Sequence, residues 1–370
     1  MNITTSFLIA AGLACALACG DAPTDVGDPL DPLGSVHQDP GVDRVTVMTQ
    51  NLYVGTDVDA VLAALISPDE TDDFPALITA IQTFQATDFP ARAAAFADAI
   101  ARERPHVVGL QEISDVLIDL TELGIPVSIH QRFLPILEAA LAARGLPYVT
   151  AATILDFTAS PLPGVELKDY EAVLVDTSRA TVTHTHARLF SHNLGMVAPG
   201  VALERGLVEV TATIGGRPYV FVSTHLEPDL AGHDLSGLRA AQAYELAVAV
   251  VGSSTPAFVM GDPNDRPGSP MYQVLQQAGF TDVWAELRPG VQGYTSPRDP
   301  DLANPADQLT KRIDYIWVRG LGHAGAGLRG QVERLGVRPW ERIQGPLYAM
   351  WPSDHAGLVA NLIAARPVGP

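Results

Sequence analysis

The chain has 370 residues, 47% of them hydrophobic and 18% charged, with a formal net charge of −19. That length suits one large domain or two ordinary ones, and that hydrophobic share supports a real core. So acidic a surface argues against tight nonspecific binding to duplex DNA, which needs clustered Lys and Arg to neutralise phosphates. The two cysteines, Cys15 and Cys19, both stand near the N-terminus, so no disulfide framework is available to the folded domain.

In chain order, Phe7 to Cys19 form an apolar stretch, FLIAAGLACALAC. It is too short to span a bilayer comfortably and reads as the apolar core of an export signal. Ala16-Leu17-Ala18-Cys19 resembles a bacterial lipoprotein cleavage site, with residues 1–19 as the signal peptide and Cys19 as the lipidated first residue. A plain secretory signal cut near Gly20 is the alternative. Either way the protein is expected to be exported, held at the bacterial cell envelope or secreted. Residues 20–43 are rich in Asp, Pro and Gly and read as a flexible acidic tether. The domain is expected over residues 44–366.

RVTVMTQNL alternates as a strand does. Residues 57–83 read as an inserted helical segment broken by Pro68 and the acidic stretch to Asp73. FPARAAAFADAIARERP reads as a helix stopped by Pro105. HVVGLQE predicts a buried strand ending at Glu112. A helix over Gln131–Arg144 precedes the strand PYVTAATI, and EAVLVDT and ATVTHTHARLF are further strands. LVEVTATIGGRPYVFVSTHL predicts a hairpin turning at Gly215-Gly216. LSGLRAAQAYELAVAVVGS is a helix, PAFVMGD a strand, SPMYQVLQQAG a short helix, and RIDYIWVRG and HAGLVANLIAA the last strands. The apolar runs ending in Glu112 and Asp262 occupy comparable places in the two halves. The expected fold is mixed α/β: a four-layer α/β/β/α sandwich of two packed sheets flanked by helices.

Six short polar signatures punctuate these elements: Asn51 in TQNLY, Glu112 in VVGLQE, His225 in STHLE, Asp262 and Asn264 in GDPND, Asp314 in RIDYIWV, and Asp354-His355 in SDHAG. Most follow or lie inside a predicted strand, and α/β folds build their sites at strand ends. Carboxylates, an amide and histidines without cysteine suit a hard divalent cation and phosphate chemistry. Plainer readings exist for single residues: a solvated strand-end glutamate for Glu112, a Gly-Asp-Pro turn for Asp262 and Asn264, and a strand-end histidine for His225. His184 and His186 share one strand face, and without a third ligand nearby they read as exposed strand residues. Trp351 stands close enough to Asp354 to border a cleft.

Taken in order, TQNL, GLQE, STHLE, GDPND, RIDYIW and SDHAG resemble the endonuclease/exonuclease/phosphatase superfamily, which includes deoxyribonucleases and neutral sphingomyelinases. The resemblance runs from about Arg44 to about Ala364. Arg205-Gly206, Arg239 and Gln242 also look familial. The resemblance implies Mg²⁺, or Mn²⁺ in its place, with Glu112 as principal ligand, Asn51 beside it and Asp354 as a further ligand. It implies Asp314 as the orienting partner of His355, Asp262 as the other candidate base with Asn264 beside it, and His225 on the far side of the scissile phosphate. It also suggests Glu171 as a partner for His225.

The implied activity is hydrolysis of a phosphoester, first a phospholipid or other small phosphodiester. An extracellular nuclease acting on nucleic acid is the alternative, and a non-catalytic surface binding module is the rival from another class. A monomer, membrane-associated through Cys19, is expected. Specificity is expected in loops, chiefly residues 57–90, 157–169, 188–204 and 286–310, which carry no motif.

Overall fold

The computed structural model describes residues 42–67, 71–230, 232–252, 254–306, 308–321 and 327–365. The apolar N-terminal stretch, Cys19 and the acidic segment through residue 41 lie outside the described residues. Val42 and Asp43 belong to the first strand, Val42–Asn51, two residues ahead of the expected domain start. Among the described residues no helix is long and apolar enough to cross a membrane.

Two large sheets form beside a small two-stranded one, and the strands of the large sheets alternate between two apolar environments. In the ten-stranded sheet, Val45, Val47, Val107, Val173 and Val175 point to one core, while Met48, Val108, Leu110, Ala172 and Leu174 point to another. In the six-stranded sheet, Val208, Val210, Phe221, Phe258 and Met260 join the first core, while Leu207, Val220, Val222, Val259 and Trp317 face a third. The shared core is therefore the inter-sheet layer, and the other two are covered by helices. The helix Phe89–Glu103 buries Phe89, Ala93, Phe96, Ala97 and Ile100 on the first sheet, a spacing of three and four that makes one helical face. The helix Ser236–Val251 does the same with Ala243, Leu246, Ala247 and Val250 on the second. The result is the α/β/β/α sandwich that the sequence predicts.

Each sheet holds one parallel strand pair, and the pairs position the site. Val42–Asn51 runs parallel to Val107–Gln111, with Asn51 opposite Gln111. Arg217–His225 runs parallel to Ala257–Asp262, with His225 opposite Asp262. A parallel pair needs a crossover, and each is made by helix, as Phe89–Glu103 and Ser236–Val251 show. The carboxyl ends of both pairs consequently open at the same edge of the sandwich.

The sheets close on each other at Gly109, where a Cβ would stand 3.3 Å from both Met260 Cβ and Ser223 Oγ. Beside it Gln111 Nε2 donates to Ser223 Oγ at 2.8 Å, and Thr49 Oγ1 donates to Gln111 Oε1 at 3.2 Å. These bonds satisfy buried polar groups across the inter-sheet layer.

Several boundaries differ from expectation. Residues 157–169, expected as a loop, are the tip of a long hairpin, Tyr148–Leu162 with Val165–Asp176. Strands Asp115–Asp119, Ser128–Arg132 and Gly330–Leu335 carry no strong apolar alternation in sequence and form by pairing to existing edges. Asp314 falls just before its strand, Tyr315–Arg319, not within it. The inserted segment forms two helices, Val58–Ile66 and Asp73–Ala86.

Gly261 has φ +148°, and a Cβ there would lie 1.9 Å from the carbonyl oxygen of Thr224. Gly261→Ala is expected to destabilise the protein by at least about 3 kcal/mol, since strain and a backbone clash combine. Urea unfolding measures this, and an unchanged midpoint would contradict the strand placement.

Candidate active site

The chain leaves the first parallel pair through two residues in the left-handed region, Tyr53 at φ 60° and Glu112 at φ 54°. Such backbone is costly for non-glycine residues and is held here by the bonds around it. Glu112 Oε1 accepts from Asn51 Nδ2 at 2.9 Å and Oε2 from the Val54 N–H at 2.9 Å. Asn51 Nδ2 also reaches Asp262 Oδ2 at 3.3 Å, while Asn51 Oδ1 accepts from the Tyr53 N–H at 2.9 Å. Asn51 thus presents its amide nitrogen, not its oxygen, to the two carboxylates. Below this turn the fully buried Arg92 donates to the carbonyls of Leu52, Tyr53, Thr87 and Pro352. It ties the exit of the first strand to the loop that carries Asp354 and His355.

The second pair supplies His225, Asp262 and Asn264. Asn264, at φ 55°, donates from its backbone N–H to Asp262 Oδ1 at 2.9 Å, so the turn after Pro263 points the carboxylate back into the cleft. Asn264 Nδ2 also donates to the Leu226 carbonyl at 3.0 Å and lies 2.9 Å from His225 Nε2. On the other ring edge Arg205 Nη1 stands 3.2 Å from His225 Nδ1. Both neighbours are N–H groups, so they disfavour an imidazolium. Burial, and then Arg205, hold His225 well below the usual imidazole range. Glu171 touches His225 through the main chain, accepting from its N–H at 2.7 Å, and not through the ring.

The third segment is the loop before the last strand, Gly357–Ala365. Ser353 Oγ donates to the Asn51 carbonyl at 2.8 Å and accepts from the His355 N–H at 3.1 Å. His355 Nδ1 lies 2.8 Å from Asp314 Oδ2 and 3.5 Å from Asp262 Oδ2, and Nε2 lies 4.0 Å from Asp354 Oδ2. Asp314 is itself steadied by its N–H bond to Thr295 Oγ1 at 3.2 Å. Burial by itself would depress His355, but Asp314, Asp354 and Asp262 outweigh it and hold the ring well above the ordinary imidazole value. Asp262 is pushed up to about 8, first by burial and then by Asp314. Asp354 is pushed up to about 6 by burial, with Glu112 adding to the rise.

These segments line one cavity of about 510 Å³, which also takes in Asp57, Asp59, Phe157, Arg205, Glu227 and Arg298. Its polar wall offers two places for a cation. Asp262, Asp314 and His355 present ligand atoms within 4.8 Å of one another, so this buried group could hold a metal. Glu112 and Asp354 form a second, oxygen-only set. Both carboxylates line the cavity, and Glu112 adds to the rise that burial imposes on Asp354. Hard oxygen donors with room for water suit Mg²⁺ or Mn²⁺. The His355 imidazole, by contrast, already holds Asp314 through Nδ1, an arrangement that suits a proton-carrying pair.

All eight residues singled out in sequence, Asn51, Glu112, His225, Asp262, Asn264, Asp314, Asp354 and His355, converge on this edge. Arg92, Ser353 and Thr295 also shape the site and carry no sequence signal of their own, although Ser353 stands inside SDHAG. Trp351 is fully buried, with Arg298 4.6 Å above its ring, and supports the cavity from beneath without lining it. His184 and His186 lie exposed on the strand Thr181–Leu189. The expected specificity segments contribute Asp57, Asp59 and Leu62, Phe157 and Leu167, Leu203, and Ser296, Pro297 and Arg298 to the wall.

The endonuclease/exonuclease/phosphatase family model matches residues 48–355, so the chain belongs to that family. Solved structures share the fold. A family protein from Bacteroides thetaiotaomicron is 15% identical, with TM-score 0.54 over 87% of this chain and 98% of its own. A mannosyl-6-phosphatase from the same organism is 15% identical, with TM-score 0.53 over 86% and 99%. Truncated TDP2 of Caenorhabditis elegans is 19% identical, with TM-score 0.51 over 87% and 98%. No curated protein matches the sequence. Membership and site together make the chain a phosphoesterase of this family.

The 2.8 Å contact predicts that His355 and Asp314 act as one unit. His355→Ala should lower kcat by about 4 kcal/mol or more in barrier terms. Asp314→Asn should cost nearly as much by freeing the ring's orientation. The double variant should then be little worse than His355→Ala alone. Measured kcat/KM values that add fully would show the two working independently.

Proposed function

We propose that the protein is an exported, lipid-anchored, Mg²⁺-dependent phosphodiesterase acting on a phospholipid or other small phosphodiester. The observation that carries the catalytic part is that one cavity is lined by the oxygen donors Glu112 and Asp354 and by His355, whose ring is held by Asp314 at 2.8 Å. Mn²⁺ would fill the same donor set. The cation, when bound, neutralises phosphoryl charge and stabilises the leaving alkoxide.

The remaining work falls to the chain's own groups. His355, kept protonated by the surrounding carboxylates, donates from its ring to a phosphoryl oxygen, and Asp314 fixes the ring through Nδ1. Asp262 takes the proton from the attacking water. Its elevated value lies near neutral pH, where a base transfers protons most effectively. Asn264 aims Asp262 and, with neutral His225, contacts the phosphate from the opposite side. Asn51 keeps Glu112 and Asp262 apart but aligned.

A small or lipid diester is favoured over nucleic acid by charge. The net charge is −19, and beyond the catalytic groups the cavity adds Asp57, Asp59, Asp169, Glu227, Asp229 and Asp265. Some of its cations are already committed: Arg239 to Asp229 and Asp265, Arg205 to Glu227. A polyanion gains little from such a wall. Hydrolysis of DNA, RNA, phospholipid dispersions and bis-p-nitrophenyl phosphate, with Mg²⁺ and with chelator, tests the reading. Preference for nucleic acid would replace it with a nuclease, and no hydrolysis of any diester would overturn it.

Two further outcomes are expected. Glu112→Gln should weaken metal affinity roughly ten- to hundred-fold, and titration of activity against Mg²⁺ measures the shift; full activity in excess chelator would sink the metal requirement. Cys19→Ser should release the domain from membranes with its specific activity intact, because stable anchoring needs more than one acyl chain and all would be lost. Membrane fractionation equal to that of the parent would show that Cys19 carries no anchor.

A further inference from the structure

Beside the polar cavity lies a second hollow of about 80 Å³ under the helices Val58–Ile66 and Asp73–Ala86. Its floor is the first sheet, through Val116, Ile118, Ala159 and Val165, and its roof is Leu65, Leu77, Ile81 and Phe84 from the two helices. The hollow adjoins the cavity. Val54, Thr56, Val58, Leu62, Phe157 and Leu167 line both. Thr56 Oγ1, at this junction, is buried with no hydrogen-bond partner among the described residues.

We propose that this slot receives the linear hydrocarbon chain of the substrate. The proposal rests on the phosphodiesterase reading above and names the substrate class within it. Two adjoining features select that class: a polar, metal-competent cavity and an apolar slot beside it. A nucleotide would place sugar hydroxyls or phosphate in the channel, which offers them no partners. A free apolar molecule would leave the polar end unused.

Each methylene that enters should raise kcat/KM about three- to fourfold until the slot is full. The test uses p-nitrophenyl phosphodiesters whose second ester group runs from methyl to dodecyl, below their micelle concentrations, with a benzyl ester alongside. The expected result is a climb over the first several methylenes followed by a plateau. In Ala80→Phe and Ala159→Leu, which fill the slot, the octyl-to-methyl ratio should fall toward one. A second readout needs no turnover: calorimetry in chelator should show octyl phosphate binding at least tenfold more tightly than methyl phosphate, and the difference should vanish in the filled variants.

Hydrolysis of the methyl ester without chain-length dependence would overturn the proposal while leaving the phosphodiesterase reading intact. Preference for the benzyl ester over all alkyl esters would assign the slot to an aromatic group and also overturn it. Failure to cleave any ester would sink the phosphodiesterase reading, and the calorimetric comparison would then decide the slot by itself. Equal binding of octyl and methyl phosphate would refute it there.

Discussion

Burial of many carboxylates around one cleft is the constraint on which the rest of this structure depends. Asp262 and Asp314 are almost wholly buried, and behind them Asp156, Asp169, Glu171 and Glu227 are buried as well. Anions removed from water repel one another strongly, and each needs a cation, a proton or a hydrogen-bond donor. The chain answers in three ways. His355 is drawn into the cationic form by three aspartates. Arg205 sits among the rear carboxylates, 3.5 Å from Glu227 Oε1. Burial, with Glu171 adding to it, pushes Asp156 well above the ordinary carboxylate range, so protons are retained there. Glu112 and Asp354 line the cavity as hard oxygen donors of the kind that suits a divalent cation. The same charge that makes the site expensive to fold suits it to a cation.

Precision in such a site comes from the strand ends. Two parallel pairs, one in each sheet, bring Asn51 beside Gln111 and His225 beside Asp262. The last antiparallel strand then returns Asp354 and His355 to the same edge, since Thr49 pairs with Leu358. Special backbone completes the aim: Glu112 and Asn264 in the left-handed region, and Gly261 where any Cβ would strike the neighbouring strand. Arg92 and Ser353 lock the first strand's exit to the histidine loop by donating to backbone carbonyl groups on both sides of the join.

Much of this was legible in the sequence because polar residues that interrupt an apolar run are physically costly and stand out. VVGLQE and FVMGD reveal their strands and their terminal carboxylates in one glance. The four-layer arrangement follows from runs such as VVGL, which are apolar on both faces. Arg92 was not legible, since an arginine inside an amphipathic helix ordinarily faces solvent, and only the tertiary fold turns it inward. The hairpin at residues 157–169 was hidden by Pro161, Pro163 and Gly164 at its tip and by charged residues on its exposed face. The strand Gly330–Leu335 was hidden by its brevity and by two exposed residues at its start. The partner of the His225 ring was likewise invisible: Arg205 reaches it from a separate loop, while Glu171 takes the backbone N–H. Long-range pairing, not local pattern, decides each of these.

The central claim is that the oxygen donors on the open side hold the cation while the Asp314–His355 pair carries a proton. Anomalous scattering from a crystal soaked in Mn²⁺ tests that division most directly. The account predicts a peak in coordination contact with Glu112 and Asp354, and none between Asp262, Asp314 and His355. A peak confined to the Asp262, Asp314 and His355 cluster would contradict it.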